Sequence, residues 1–214
     1  MSDISFIERA KRYFEFLETD FDFRIIRETN SEFRSQTDGG IEFASEAINV
    51  LIDSENGYAT LRFYRAKDGE KYYLTPIDIY EYLNTTSEEK ELLLSTSPAD
   101  KPEASDLFNK KFLLNQPGWK GSHGTAEDLD NELKKYSDWL RRHATLLLEK
   151  DLSWWPRIYE YKINRARADH LRSGRDELSY ARVKDVNGNW KLSKQSIFKD
   201  KLEHVEKLKK EFSK

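Results

Sequence analysis

Apolar residues recur at three- and four-residue spacing near the start of the chain, at Phe6, Ala10, Tyr13, Phe14 and Leu17. That spacing predicts an amphipathic helix over residues 4–18, capped by Ser5 or Asp3. Asp20 and Asp22 interrupt it, and the pattern changes to the period-two alternation of strands. Residues 21–27, 41–44, 47–53, 59–65 and 71–74 carry β-favouring runs. Ser54-Glu55-Asn56-Gly57 and Lys67-Asp68-Gly69-Glu70 read as hairpin turns, because Asn-Gly and Asp-Gly tolerate positive φ. Consecutive strands joined by short turns predict an antiparallel meander with one face covered.

Helical patterning then takes over. Thr75-Pro76 starts a helix, with Thr as cap and Pro at the first position. A short helix is expected over 87–95, a loop over 96–106 and another short helix over 106–114. Residues 116–124, rich in glycine, break the chain. Thr125 caps a long helix over 126–149, with Asp128 completing a capping box and Leu129, Leu133, Tyr136, Leu140 and Leu147 forming its stripe. A helix over 154–172, a hairpin over 179–192 around Asn187-Gly188 and a last helix over 194–212 follow. The fold class is α+β: an N-terminal helix on an antiparallel sheet of about four or five strands, within the usual sheet size, then a mainly helical C-terminal part. The expected organisation is a sheet domain at 1–95, linker and loops at 96–124, and a helical, basic part at 125–214. One continuous globule is the alternative.

Composition sharpens this picture. Charged residues make up 35% of the chain, which taken alone suggests a heavily solvated or partly disordered protein. Twelve Phe, eleven Tyr and five Trp supply large side chains for a core and argue for a folded one. There is no cysteine, so disulfides, a thiol nucleophile and thiolate metal sites are excluded for this chain. The first residues lack a basic segment followed by an apolar one, and no run approaches the roughly 20 apolar residues of a membrane span. No membrane association is expected, and the cytoplasm is the expected location.

The net charge of −3 hides a split. Residues 1–115 carry 14 Lys+Arg against 23 Asp+Glu, and residues 116–214 carry 22 against 16. Such a polar field suits an anionic partner at the basic end, or internal docking of the two halves. The densest basic stretch is Arg157, Lys162, Arg165, Arg167, Arg172 and Arg175, with Trp154, Trp155, Tyr159 and Tyr161 interleaved. Cations beside aromatics suit single-stranded nucleic acid, through phosphate neutralisation and base stacking. They equally suit an acidic protein surface, or a solvated helix face above a Trp-rich core.

Candidate chemistry is sparse. Residues 118–125 place glycines before a helix, as phosphate-binding loops do, but lack the Lys-Ser/Thr ending and the preceding strand. Glu160, Lys162 and upstream Asp151 are the residue types of a metal-dependent nuclease, which needs them on adjacent strands; their surroundings read as helix. His123, His143, His170 and His204 show no metal-ligand spacing, and no serine elbow is present. No catalytic residue, metal site or cofactor is expected.

The run of Phe16-Leu17, Asp20-Phe21-Asp22-Phe23, Ile41-Glu42-Phe43-Ala44, Val50-Leu51-Ile52-Asp53 and Leu61-Arg62-Phe63-Tyr64 resembles small bacterial immunity-like proteins of toxin loci. The resemblance is one of pattern over roughly the first eighty residues. It implies a protein that blocks a toxin by binding, often through a charged surface. The expected function is therefore a non-enzymatic, protein-binding, immunity- or inhibitor-like protein of a bacterial or phage conflict system, its partner acidic at the point of contact. The alternative is a nucleic-acid-binding or metal-dependent nuclease-type protein acting through residues 157–175.

Overall fold

Ser5 caps the first helix by a capping box: its Oγ accepts the Glu8 N–H, and the Glu8 carboxylate accepts the Ser5 N–H at 2.9 Å. Helix α1 (Phe6–Phe14) is followed after Glu15 by α2 (Phe16–Phe21), so the helical segment runs past its expected end. Asp22, at φ 56°, terminates it in the left-handed conformation, and the Phe23 N–H returns to the Leu17 carbonyl at 3.0 Å. Phe21 thus belongs to helix, not strand. The computed structural model describes residues 4–30, 38–55, 57–84, 125–148, 150–184 and 188–213. The expectations for 87–95, 96–106, 106–114 and the glycine segment 116–124 lie outside the described residues.

Two compact units divide the chain: Met1–Pro76 with Pro117–Leu152, and Ile77–Gln116 with Ser153–Lys214. The first holds a four-stranded antiparallel sheet in the order β1 (Arg24–Asn30), β2 (Gly39–Ala44), β3 (Asn49–Glu55), β4 (Tyr58–Tyr64). Register places Phe43, Val50 and Phe63 in one row and Ile41, Ile52 and Leu61 in the next, all buried. Cross-strand partners share a face, so these rows make one apolar surface. Helices α1 and α4 (Ala126–Arg142) pack on the sheet and on each other. They contribute Phe6, Ala10 and Phe14, and Leu129, Leu133 and Leu140, all buried. The Trp139 ring lies 6.2 Å from that of Phe63. Fully burying side chains of this size is worth roughly 1.5–3 kcal/mol each.

Polar fasteners set the helix positions. Arg9 pairs with Asp130, and the Ser137 hydroxyl donates to the Tyr13 carbonyl at 2.6 Å. Thr125 and Asp128 form the expected capping box at the start of α4. The long helix expected over 126–149 divides at His143 into α4 and the short α5 (Ala144–Leu147).

The expected strand over 71–74 does not form. The chain curls into a 3-10 turn at Glu70–Tyr72, and only Leu74 bridges back to Phe63. The cause is local. Asp68 and Gly69 both donate their N–H groups to the Arg65 carbonyl, at 2.9 and 3.1 Å, and Gly69 takes φ 75°. The buried Arg65–Asp68 ion pair, 3.3 Å, holds the turn.

The second unit contains α3 (Pro76–Asn84) from Ile77 onward, α6 (Trp155–Arg172), the hairpin β5 (Leu178–Lys184) and β6 (Trp190–Ser196), and α7 (Lys199–Phe212). The hairpin is longer than its expected span, so α7 starts at Lys199 rather than 194. Ser196 explains the difference: its hydroxyl donates to Glu177 at 2.7 Å and accepts the Phe198 N–H at 3.1 Å, closing the strand before the helix. Helix α6 buries Trp155, Ile158, Tyr159, Tyr161, Ile163 and Ala168, and α7 lays His204, Val205 and Leu208 against it. Among the described residues no helix is long and apolar enough to cross a membrane.

Candidate binding surface

Helix α6 carries most of the cations singled out in the sequence, and most of them are engaged within their own unit. Lys162 meets Asp78 at 3.0 Å, and Arg165 pairs with Glu81 and, at 3.8 Å, with Asp169. Arg167 meets Glu177 at 3.1 Å, and Arg172 meets Asp169 at 2.5 Å. The first two pairs clamp α3 to α6. Burial holds the Arg165 guanidinium below its usual range, although Asp169 and Asp78 pull the other way. Arg157 and Arg175 are exposed and have no ion-pair partner among the described residues.

The aromatic residues interleaved with these cations are largely spent on packing. Trp155, Tyr159 and Tyr161 are buried, and Trp154 is half-buried. The Tyr161 ring meets Tyr82 edge-on at 5.6 Å, and Tyr159 meets His204 edge-on at 5.3 Å. A ring buried on both faces offers no surface for base stacking, so these three residues act as core. The nuclease arrangement fails on geometry: Glu160 and Lys162 lie on one helix, not on adjacent strands, and Glu160 pairs with Lys209 at 2.5 Å. Among the described residues no group of three or more His, Asp or Glu is placed to hold a metal ion.

A different set of residues has the combination sought at 157–175. In the β5–β6 hairpin, Leu178 faces Ser196, Tyr180 faces Lys194, Arg182 faces Leu192 and Lys184 faces Trp190. Directly paired residues of an antiparallel ladder point to the same side. One face therefore carries Leu178, Tyr180, Trp190 and Leu192, and all four are exposed. Tyr180 is 73% exposed, Leu192 68% and Trp190 67%. Arg182, Lys184 and Lys194 are exposed beside them. On the opposite face Ala181, Ser193 and Gln195 are half-buried, while Ser179 and Lys191 are exposed. The large apolar side chains thus lie on the more exposed face, the reverse of ordinary strand amphipathicity, in which they face the core.

The cations of this face are little used internally. The Lys184 ammonium sits 5.2 Å from the Trp190 ring centroid. Lys194 has an exposed contact with Asp176 at 3.4 Å, worth little in water. Arg182 has no ion-pair partner among the described residues. The signal was present in the sequence as even-numbered alternation, 180-182-184 and 190-192-194, but periodicity alone does not say which face of a hairpin is covered.

A cleft of about 390 Å³ lies between the end of α2 and the β2–β3 turn. Asp22 and Glu46 balance Arg24 and Lys150 on its walls, and Lys150 meets Glu46 at 3.0 Å. Paired opposite charges of this kind select no class of ligand.

No protein-family model matches the chain, and neither a curated protein nor a solved structure shows significant similarity to it.

Proposed function

We propose that this chain is a non-enzymatic binding protein that acts by engaging an acidic protein partner, in the manner of an immunity or inhibitor protein of a bacterial or phage conflict system. The observation that carries this reading is the inverted hairpin: large apolar side chains held in water among cations. Tyr, Trp and Arg dominate the energetics of protein interfaces, the rings because they bury much area at little entropy cost, Arg through its planar, multiply donating guanidinium. The basic end of a split-charge chain would steer an acidic partner to the same place. The immunity-like pattern of the first eighty residues supports the biological setting. Affinity purification of the full chain from its native host is expected to recover one protein in stoichiometric amount. Recovery of none, with folded bait, overturns the proposal.

Nucleic-acid binding is the second reading, favoured by Tyr180 and Trp190 standing among Arg182, Lys184 and Lys194. It moves from residues 157–175, where the cations are mostly paired, to the hairpin. It requires oligonucleotide binding that weakens steeply with salt and on Trp190→Ala.

A further inference from the structure

The four large apolar residues of the hairpin's outer face are not scattered. Leu178 and Tyr180 follow one another on the same face of β5, and Leu192 and Trp190 do so on β6. Tyr180 and Leu192 occupy adjacent rungs of the ladder, on a diagonal. Diagonal neighbours of this kind lie within reach of long side chains. The result is one continuous ridge crossing the hairpin from Leu178 to Trp190, about 20 Å long at the rise of a strand. Arg182 and Lys184 flank it on one side and Lys194 on the other.

We infer that this ridge docks an acidic amphipathic segment of a partner protein, about fifteen residues if helical. The inference rests on the binding-protein reading above and names the surface and the chemistry. An apolar stripe on such a segment matches the ridge in length, because helical residues at i, i+3/i+4, i+7 and on to i+14 span about 20 Å. Carboxylates beside the stripe meet the flanking cations, which fixes the direction of docking. Nucleic acid fits the surface less well. Leu178 and Leu192 occupy half of the ridge and stack no base, and a Lys184 ammonium already lies near the Trp190 ring.

The test is photo-cross-linking in the full chain. A benzophenone amino acid replaces Leu192 in one variant and Ile26, exposed on β1 of the other unit, in a second. In extracts of the native host, the probe at 192 is expected to capture a peptide with acidic excess and an amphipathic pattern. The yield should fall at least tenfold when Arg182→Glu and Lys184→Glu are added. The captured segment, synthesised, should bind the wild-type chain and lose at least tenfold in affinity to Trp190→Ala. Capture of a peptide without acidic excess, or of nucleic acid, overturns the inference. So does silence at 192 while the probe at 26 captures the partner, an outcome that leaves the binding-protein reading standing. Failure of both probes with folded protein removes both.

Discussion

Glu132 on α4 accepts the backbone N–H of Ala59 on β4 at 2.6 Å. The first residues of an edge strand are thereby tied to a helix that comes more than seventy positions later. Burial raises the Glu132 carboxyl above its ordinary range, outweighing the Ala59 hydrogen bond and nearby Lys135, which lower it. A raised folded-state value means that the native state binds the proton more tightly. Its stabilising effect is complete below the unfolded value near 4.5 and is lost as pH rises through the raised one. In urea titrations, wild type should lose stability relative to Glu132→Gln as pH goes from acid to neutral. Glu132→Ala strands the Ala59 N–H and should cost about 1–2 kcal/mol at acid pH, the difference from wild type narrowing toward neutral. A pH-independent difference between wild type and the Gln variant would contradict this assignment.

Gly39 has no room for a side chain. A Cβ there would stand 2.8 Å from a Phe6 ring carbon and 2.9 Å from the Thr29 carbonyl oxygen. The second contact is with backbone, which cannot swing aside. Gly39→Ala should destabilise the sheet unit by about 1–3 kcal/mol, the usual cost of overpacking, as a lowered urea midpoint. Gly174→Ala is the contrast: at φ 74° it strains the backbone but meets no neighbouring atom within 4 Å, so its cost should be of backbone origin and near 1 kcal/mol.

The Arg165–Glu81 pair should behave as structure rather than as a binding surface. Glu81 is 6% exposed at its side chain, and removing its charge leaves a partly buried guanidinium short of a partner. Glu81→Gln should cost about 2–4 kcal/mol, near the range for breaking buried pairs, and Arg165→Ala should also lower the melting temperature. Arg157→Ala and Arg175→Ala should stay within about 0.5 kcal/mol of wild type. Equal effects at all four positions would refute the division between clamping and exposed cations.

Tyr64 donates its hydroxyl to the buried carboxylate of Glu42, which also accepts from Asn49 at 2.7 Å. Burial first, and the Glu42 hydrogen bond second, push its pKa up to about 12. The contribution it makes is intact below pH 10 and fades as pH rises through about 12. Tyr64→Phe should remove one late step from the tyrosinate absorbance titration. It should also cost about 1–3 kcal/mol, because Glu42 loses a donor it cannot replace from water. A loss of amplitude from the ordinary tyrosine step at about pH 10, with the late step retained, would show that Tyr64 ionises with the other tyrosines.

Much of the fold was readable from local chemistry. Ser5 and Thr125 announce their helices through capping boxes, and the meander follows from alternation broken by Asn56-Gly57. What failed did so for nameable reasons. The strand expected at 71–74 lost to turn hydrogen bonds on the Arg65 carbonyl, which no propensity encodes. The helix expected over 4–18 breaks at Glu15, resumes and runs on to Phe21, because the left-handed stop comes only at Asp22. The basic stretch at 157–175 was visible as composition. Its neutralisation by Asp78, Glu81 and Glu177 was not, since those partners lie on other elements. The hairpin's outer face was hidden because alternation gives two faces and only packing chooses between them.

Each of the two units is assembled from two separate stretches of sequence. A ribosome must therefore deliver residues up to about Leu152 before the sheet has its covering helix, and the rest of the chain before the second unit is whole. No single truncation isolates either unit: one after Leu152 keeps both stretches of the first but leaves residues 77–116 of the second without their companion stretch. Genetic dissection of this protein needs internal excisions with replacement linkers, and a nonsense mutation late in the gene damages one unit while an early one damages both.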